Sequence, residues 1–144
     1  MNTQQKELSY FKLRLQELLN SSFPEKRRDI AFVNQRSELA ANAYDLAFRA
    51  GSSIGACEYE ADKVLFEGLH FSRLDTIFKI VCREFDTIMM DEELRPFAIK
   101  MMAVCEPVFE HYGITDDFED SPEYDLLYTE LTGTIAIWIE EHGL

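Results

Sequence analysis

The stretch SPEYDLLYTELTGTIAIWIEEHGL, residues 121–144, decides how the rest of the chain is read. It opens on a helix start signal. Ser121 fits an N-cap, Pro122 the first helical position, and Glu123 and Asp125 place negative charge on the positive helix end. It closes on Gly143, suited to a left-handed stop. Between them, the run TGTIAIWI is rich in β-branched residues, and periodicity alone does not separate it from a strand. The cap and the length favour a helix ending at about Glu141. From Leu131 to Ile139 apolar residues cover nearly every face. A helix of that pattern is buried all round, so this element is predicted to be the centre of the fold.

Working outward, the upstream chain repeats the helical pattern. Leu8, Phe11, Leu15, Leu18 and Leu19 form one stripe of a first helix from about Gln4 to Leu19. The run NSSFPEKRRD breaks it. A second helix starts between Pro24 and Asp29 and ends near Ala50, with Ile30, Val33, Ala40, Tyr44 and Ala47 on one face and Gly51 as its stop. Ser52 or Ser53 caps a third, whose stripe is Ile54, Cys57, Ala61, Val64, Leu65 and Gly68. Ser72 and Asp75 make an S-x-x-D start for a fourth, with Leu74, Ile77, Phe78, Val81 and Phe85 inward. Asp91 is the expected cap of a fifth, running to Gly113. Pro96 and Pro107 each remove a backbone donor from it, so a late start or a kink is expected there. No segment alternates like a strand of a sheet. The fold class is all-α, a single-domain bundle or orthogonal array of about six helices over residues 1–144.

A chain of 144 residues with 47% hydrophobic side chains can bury a real core, which excludes charge-driven disorder. The start MNTQQKELSYF lacks the basic and apolar regions of a signal peptide. The longest aliphatic-aromatic run, Ile135 to Ile139, is far too short to span a bilayer, which takes roughly 20 residues. Cys57, Cys82 and Cys105 are odd in number and widely spaced, with no CxxC pair. Free thiols in a reducing cytoplasm are the simplest expectation, with no membrane association.

Charge is distributed unevenly. The last basic residue is Lys100, and the 44 residues after it hold eleven acidic side chains. The first fifty residues balance at +2 and the remainder at −15. Such acidity argues against direct nucleic-acid binding and for a basic protein partner. Asp116, Asp117, Glu119 and Asp120 form the densest acidic run, and Lys26, Arg27 and Arg28 the only basic one. These seven are the candidate interaction surface. The plainer readings are a solvated acidic turn before a helix and a solvated helix start. The basic run also suits docking onto the acidic half of this chain or of a neighbouring copy.

The segments ELSYF (7–11), AFRAG (47–51), LFEGLHFS (65–72) and 121–144 together resemble a bacterial domain-of-unknown-function family, domain of unknown function 1896. Its members are small acidic helical proteins, often encoded on or near conjugative elements of anaerobic gut and oral bacteria. The resemblance covers nearly the whole chain. It implies one helical domain in a bacterial cytoplasm and supplies no catalytic residues.

No catalytic signature stands up to inspection. Glu67 and His70 make one E-x-x-H pair, half of what a carboxylate-bridged di-iron site needs. His111 and His142 follow Val108 and Ile139 at the three-residue spacing, so neither completes a second half. Both instead fall in last turns of expected helices, where the dipole favours a cation. An EF-hand loop starting at Asp116 would put Phe118 at position 3 and Ser121 at position 6, where an oxygen ligand and Gly are required. Each cysteine falls on or beside an apolar stripe, so packing is its expected role. P-loop, dinucleotide, nucleophile-elbow and H-E-x-x-H motifs are missing. No metal or cofactor is therefore expected, and no catalytic residue is assigned.

The leading expectation is a non-enzymatic interaction or accessory module. An acidic nucleic-acid mimic, inhibiting a basic DNA-binding protein, is the alternative. It requires carboxylates in long rows, whereas between Leu126 and Ile139 only Glu130 is charged. An enzyme whose site is assembled from scattered residues is the third reading. Partner identity and oligomeric state are not written in the sequence.

Overall fold

The computed structural model describes the chain from Thr3 to Leu144, with side chains from Leu8 onward; Met1 and Asn2, where the stretch read for a leader begins, lie outside the described residues. Six α-helices make up the described fold: α1 (Thr3–Ser22), α2 (Ile30–Arg49), α3 (Ile54–Leu65), α4 (Arg73–Glu84), α5 (Asp91–Glu110) and α6 (Tyr124–His142). Two short 3-10 turns, Pro24–Lys26 and Phe118–Asp120, complete it, and no strand occurs among the described residues.

Local chemistry sets most of the helix starts. The Asp29 carboxylate accepts from the Phe32 N–H at 3.0 Å, Ser53 Oγ from Ala56 N–H at 3.2 Å, and Ser72 Oγ from Asp75 N–H at 3.0 Å. Each satisfies a donor that the first helical turn leaves orphaned, typically worth ~1 kcal/mol. Gly51 ends α2 at φ +87° and Gly143 ends α6 at φ +75°, a region costly for side chains. α5 runs through both prolines, but Asp91 is its first helical residue rather than its cap, a position that Met90 takes. Its start is held by Glu93, whose carboxylate accepts the Met90 N–H at 3.1 Å.

Contacts divide the chain into two compact units, one up to Leu69 and one from His70 to Leu144. In the first, α1 and α2 run antiparallel: Phe11 meets Tyr44 at a ring separation of 6.2 Å, and Gln16 donates to the Arg27 carbonyl at 2.9 Å. α3 returns along them. Arg14 of α1 grips Asp62 with both prongs of its guanidinium, at 2.5 and 3.2 Å. Arg36 of α2 donates to the carbonyls of Val64, Leu65 and Glu67 at the end of α3, where the helix dipole favours a cation. The core is Phe11, Leu15, Leu19, Phe23, Val33, Ala40, Ala41, Ala61, Leu65 and Leu69. Burying each large side chain contributes about 1.5–3 kcal/mol. Ile30 and Ile54, placed inward by spacing, are exposed because each sits in the first turn of its helix.

In the second unit α4, α5 and α6 go down, up and down. The Arg73 guanidinium lies over the Phe109 ring and Arg95 over Phe78, which pairs α4 and α5 head to tail. Tyr112 at the end of α5 donates to Glu130 near the start of α6 at 2.8 Å. Tyr128 donates to Glu84 at 2.9 Å, bringing α6 alongside α4. The core includes Leu74, Ile77, Ile80, Val81, Ala98, Met101, Cys105, Phe109, Leu127, Leu131 and Ile135.

Two expectations for the last helix are corrected. Ser121 does not cap it: its hydroxyl turns back to donate to the Phe118 carbonyl at 2.8 Å, and α6 begins at Tyr124. The cause is Phe118, which is drawn into the core and winds the preceding chain into a 3-10 turn. Nor is α6 buried all round. Leu127, Leu131 and Ile135 face the core, while Leu126 and Ile137 remain 62% and 57% exposed.

Candidate functional site

The acidic run is an ordered turn rather than a loose one. Phe118 anchors it, 3% exposed and edge-on to both Phe71 and Tyr112 with ring centroids 5.6 and 5.8 Å away. Around that anchor the carboxylates find partners. Asp116 accepts the His70 backbone N–H at 3.2 Å and stands 3.9 Å from its Nε2. Asp117 accepts from Thr115 Oγ1 at 2.6 Å. Glu119 pairs with Lys79 Nζ at 3.1 Å, and the same ammonium donates to Tyr124 Oη at 3.0 Å. The Tyr124 bond first, then Glu119, hold the Lys79 ammonium above its ordinary pKa against partial desolvation. Asp120 is exposed. Four side chains chosen as an interaction surface thus belong to one turn, and two of them, Asp116 and Glu119, already hold the turn to its own unit.

Beside this turn lies a polar hollow of about 110 Å³ whose walls include His70, Ser72, Asp75, Lys79, Glu119 and Tyr124. Its groups are occupied with structure: Ser72 caps α4 and Lys79 is shared between Tyr124 and Glu119. Glu67 and His70 do not share a helix, since α3 ends at Leu65, so the E-x-x-H spacing has no common face. Among the described residues no group of three or more His, Cys, Asp or Glu is placed to hold a metal ion.

The three cysteines are free thiols. Cys57 and Cys105 are buried, and burial pushes the Cys105 thiol up to about 12. Cys82 is also raised, by desolvation first and then by Asp86 and Asp91. A thiol shifted upward is a poor nucleophile at neutral pH, which leaves Cys82 and Cys105 to packing.

A second cleft, about 180 Å³, opens where the start of α5 meets the end of α6, between Met89, Glu93, Phe97, Lys100 and Trp138. Trp138 is the organising residue. His142 stacks on it at 4.5 Å, Phe97 meets it edge-on at 5.9 Å, and Lys100 Nζ lies 4.7 Å from its centroid. His142 Nδ1 is also 3.0 Å from the Trp138 carbonyl, at the helix end where sequence placed it.

The basic run falls in the first unit. Lys26 closes the 3-10 turn and holds its ammonium 5.1 Å from the Phe32 ring centroid, while Arg27 and Arg28 are exposed. Sequence reasoning identified these charges but not the rings that receive them, because the pairings are set by tertiary contact. It also missed the exposed outer face of α6. The signal was present as an apolar pattern too wide for one core-facing stripe.

No helix among the described residues is long and apolar enough to cross a membrane. A family model described as a domain of unknown function (DUF1896) matches residues 3–144. No curated protein matches the chain. Among solved structures, protein PG0816 from Porphyromonas gingivalis is similar at 46% identity. The match covers 99% of this chain and 97% of that one, with a TM-score of 0.86.

Proposed function

The chain belongs to the family of domain of unknown function 1896, and we propose that it acts as a non-enzymatic interaction module, an accessory protein whose partner is a basic protein. The observation that carries this reading is the uncompensated acidity of residues 70–144. They hold seventeen acidic side chains against five Lys and Arg. Arg73, Lys79, Arg95 and Lys100 lie over aromatic rings, and Lys79 also pairs with Glu119. The scarce cations are spent on staples, so the negative field stays at the surface. Such a field speeds encounter with a basic partner and repels acidic ones. The residues up to Leu69 are close to neutral, nine basic against ten acidic.

Mimicry of a nucleic acid is less well supported. Its acids would need to run in rows, whereas Leu131 to Ile139 of α6 carries no charge. The test is affinity capture from the native host with the full chain as bait, at low and at high salt. A basic protein retained at low salt and shed at high salt is expected. Recovery of no partner at either salt overturns the reading.

A further inference from the structure

α6 is an element whose pattern and surroundings disagree. A helix that is apolar all round belongs in an interior, yet one whole face of α6 is open. Leu126, Thr129, Gly133 and Ala136 recur along that face at i, i+3, i+7 and i+10, with Ile137 beside them, and all five are exposed. This is the spacing of a helix-docking seam. An apolar strip left bare on a soluble surface marks a contact site when it is continuous rather than scattered.

Gly133, at the middle of the seam, belongs to the same pattern. A glycine inside a helix costs roughly 0.5–1 kcal/mol relative to alanine. A Cβ built at 133 would meet nothing within 4 Å, so no contact within the chain calls for its absence. A bare backbone on an open helix face allows another backbone to approach closely.

The charges beside the seam select the visitor. Asp125 and Glu130 stand at its flanks, and Glu140 stands one further turn along. A second copy of this chain would set these carboxylates against their own images. A helix carrying Lys or Arg beside an apolar stripe would meet opposite charge at each. We propose that the outer face of α6 is a docking seam for one basic amphipathic helix of a partner protein. Its apolar stripe would lie over Thr129, Gly133 and Ala136, and its cations against Asp125, Glu130 and Glu140. This rests on the reading of the chain as a module for a basic partner.

The experiment titrates the full chain with a synthetic helix-forming peptide of roughly 18 residues, long enough to hold a helix on contact. The peptide carries a Leu/Ala stripe flanked by Lys, and a scrambled peptide of the same composition is the control. Fluorescence of Trp138, the single tryptophan and the neighbour of Ile137, reports binding. The patterned peptide is expected to bind about tenfold tighter than the scrambled one, the gain that packing adds to charge alone. Gly133→Leu is expected to erase that preference by filling the seam, and Ile137→Lys to weaken binding of both peptides. Position 133 is open and leucine is the better helix former, so loss of folding does not imitate the result; circular dichroism checks it.

Equal affinity for both peptides overturns the seam but leaves the basic-partner reading to the capture experiment. Equal binding of the patterned peptide by wild type and G133L also overturns it. So does a wild-type dimer that G133L converts to a monomer, since the occupant would then be a second copy.

Discussion

Lys100 holds its ammonium 4.7 Å from the centre of the Trp138 ring and makes no ion pair among the described residues, although its unit carries seventeen acidic side chains. The ring quadrupole attracts the cation at about 0.5–1 kcal/mol in an exposed setting. Lys100→Gln is therefore expected to lower stability by that amount, read from the urea midpoint, with a change in Trp138 emission. Lys100→Arg should keep both close to wild type. A glutamine variant as stable as the parent would show that the contact contributes nothing.

The acidic turn depends on one hydrophobic anchor. Phe118→Ala empties the space between Phe71 and Tyr112 and is expected to cost about 3–5 kcal/mol, as deletion of a buried aromatic does. Hydrogen exchange should then quicken at Phe118, Asp120 and Ser121, whose N–H groups bond within this turn. Unchanged exchange there would mean that the carboxylate contacts alone hold the segment.

Ser37 is fully buried in α2, and its hydroxyl has no hydrogen-bond partner among the described residues. A buried donor left unmade carries a desolvation cost that alanine does not. Ser37→Ala is expected to raise stability by about 1 kcal/mol, seen as a higher melting temperature. A destabilised variant would reveal a partner for this hydroxyl.

Alkali should loosen the second unit. The Lys79 pKa is raised above its ordinary 10.5, first by the Tyr124 bond and then by Glu119. Tyr112 and Tyr128 are raised above 10.0, by desolvation first and then by their bonds to Glu130 and Glu84. In each case the folded state favours the protonated form. The stabilising contribution is complete below the ordinary values and is lost as pH climbs through the folded ones. The urea midpoint should thus fall as pH climbs past the ordinary tyrosine and lysine values of 10.0 and 10.5. The double variant Y112F/Y128F should flatten that fall. A midpoint independent of pH over this range would contradict the assignment.

Caps and stops were legible because they are local. Ser53 and Ser72 act on N–H groups three residues away, and Gly51 turns the chain where it stands. The apolar stripe of α4 was legible for the same reason. Ser121 misled because its role depends on Phe118, whose burial is a tertiary event. The pairs Arg14–Asp62 and Lys79–Glu119 join residues 48 and 40 positions apart, which one sequence does not connect. α6 misled differently. Hydrophobicity around a helix reports what wants to leave water, and it does not say whether the cover comes from the same chain or from another. Of the candidate interaction residues, the sequence exposed the charge but not its commitments: Asp116 and Glu119 to neighbours in their unit, and Lys26 to an aromatic ring.

The division of the core into two sets of residues bears on synthesis. Every side chain of the first core lies between Phe11 and Leu69, and every side chain of the second between Leu74 and Ile135. Helical bundles with such local contacts fold in microseconds to milliseconds, while a ribosome adds only about 5–20 residues per second. Once Leu69 has cleared the exit tunnel, the first core has all its members and can close while the second is still being translated. The near-neutral half of the protein can thereby fold before the strongly acidic half emerges.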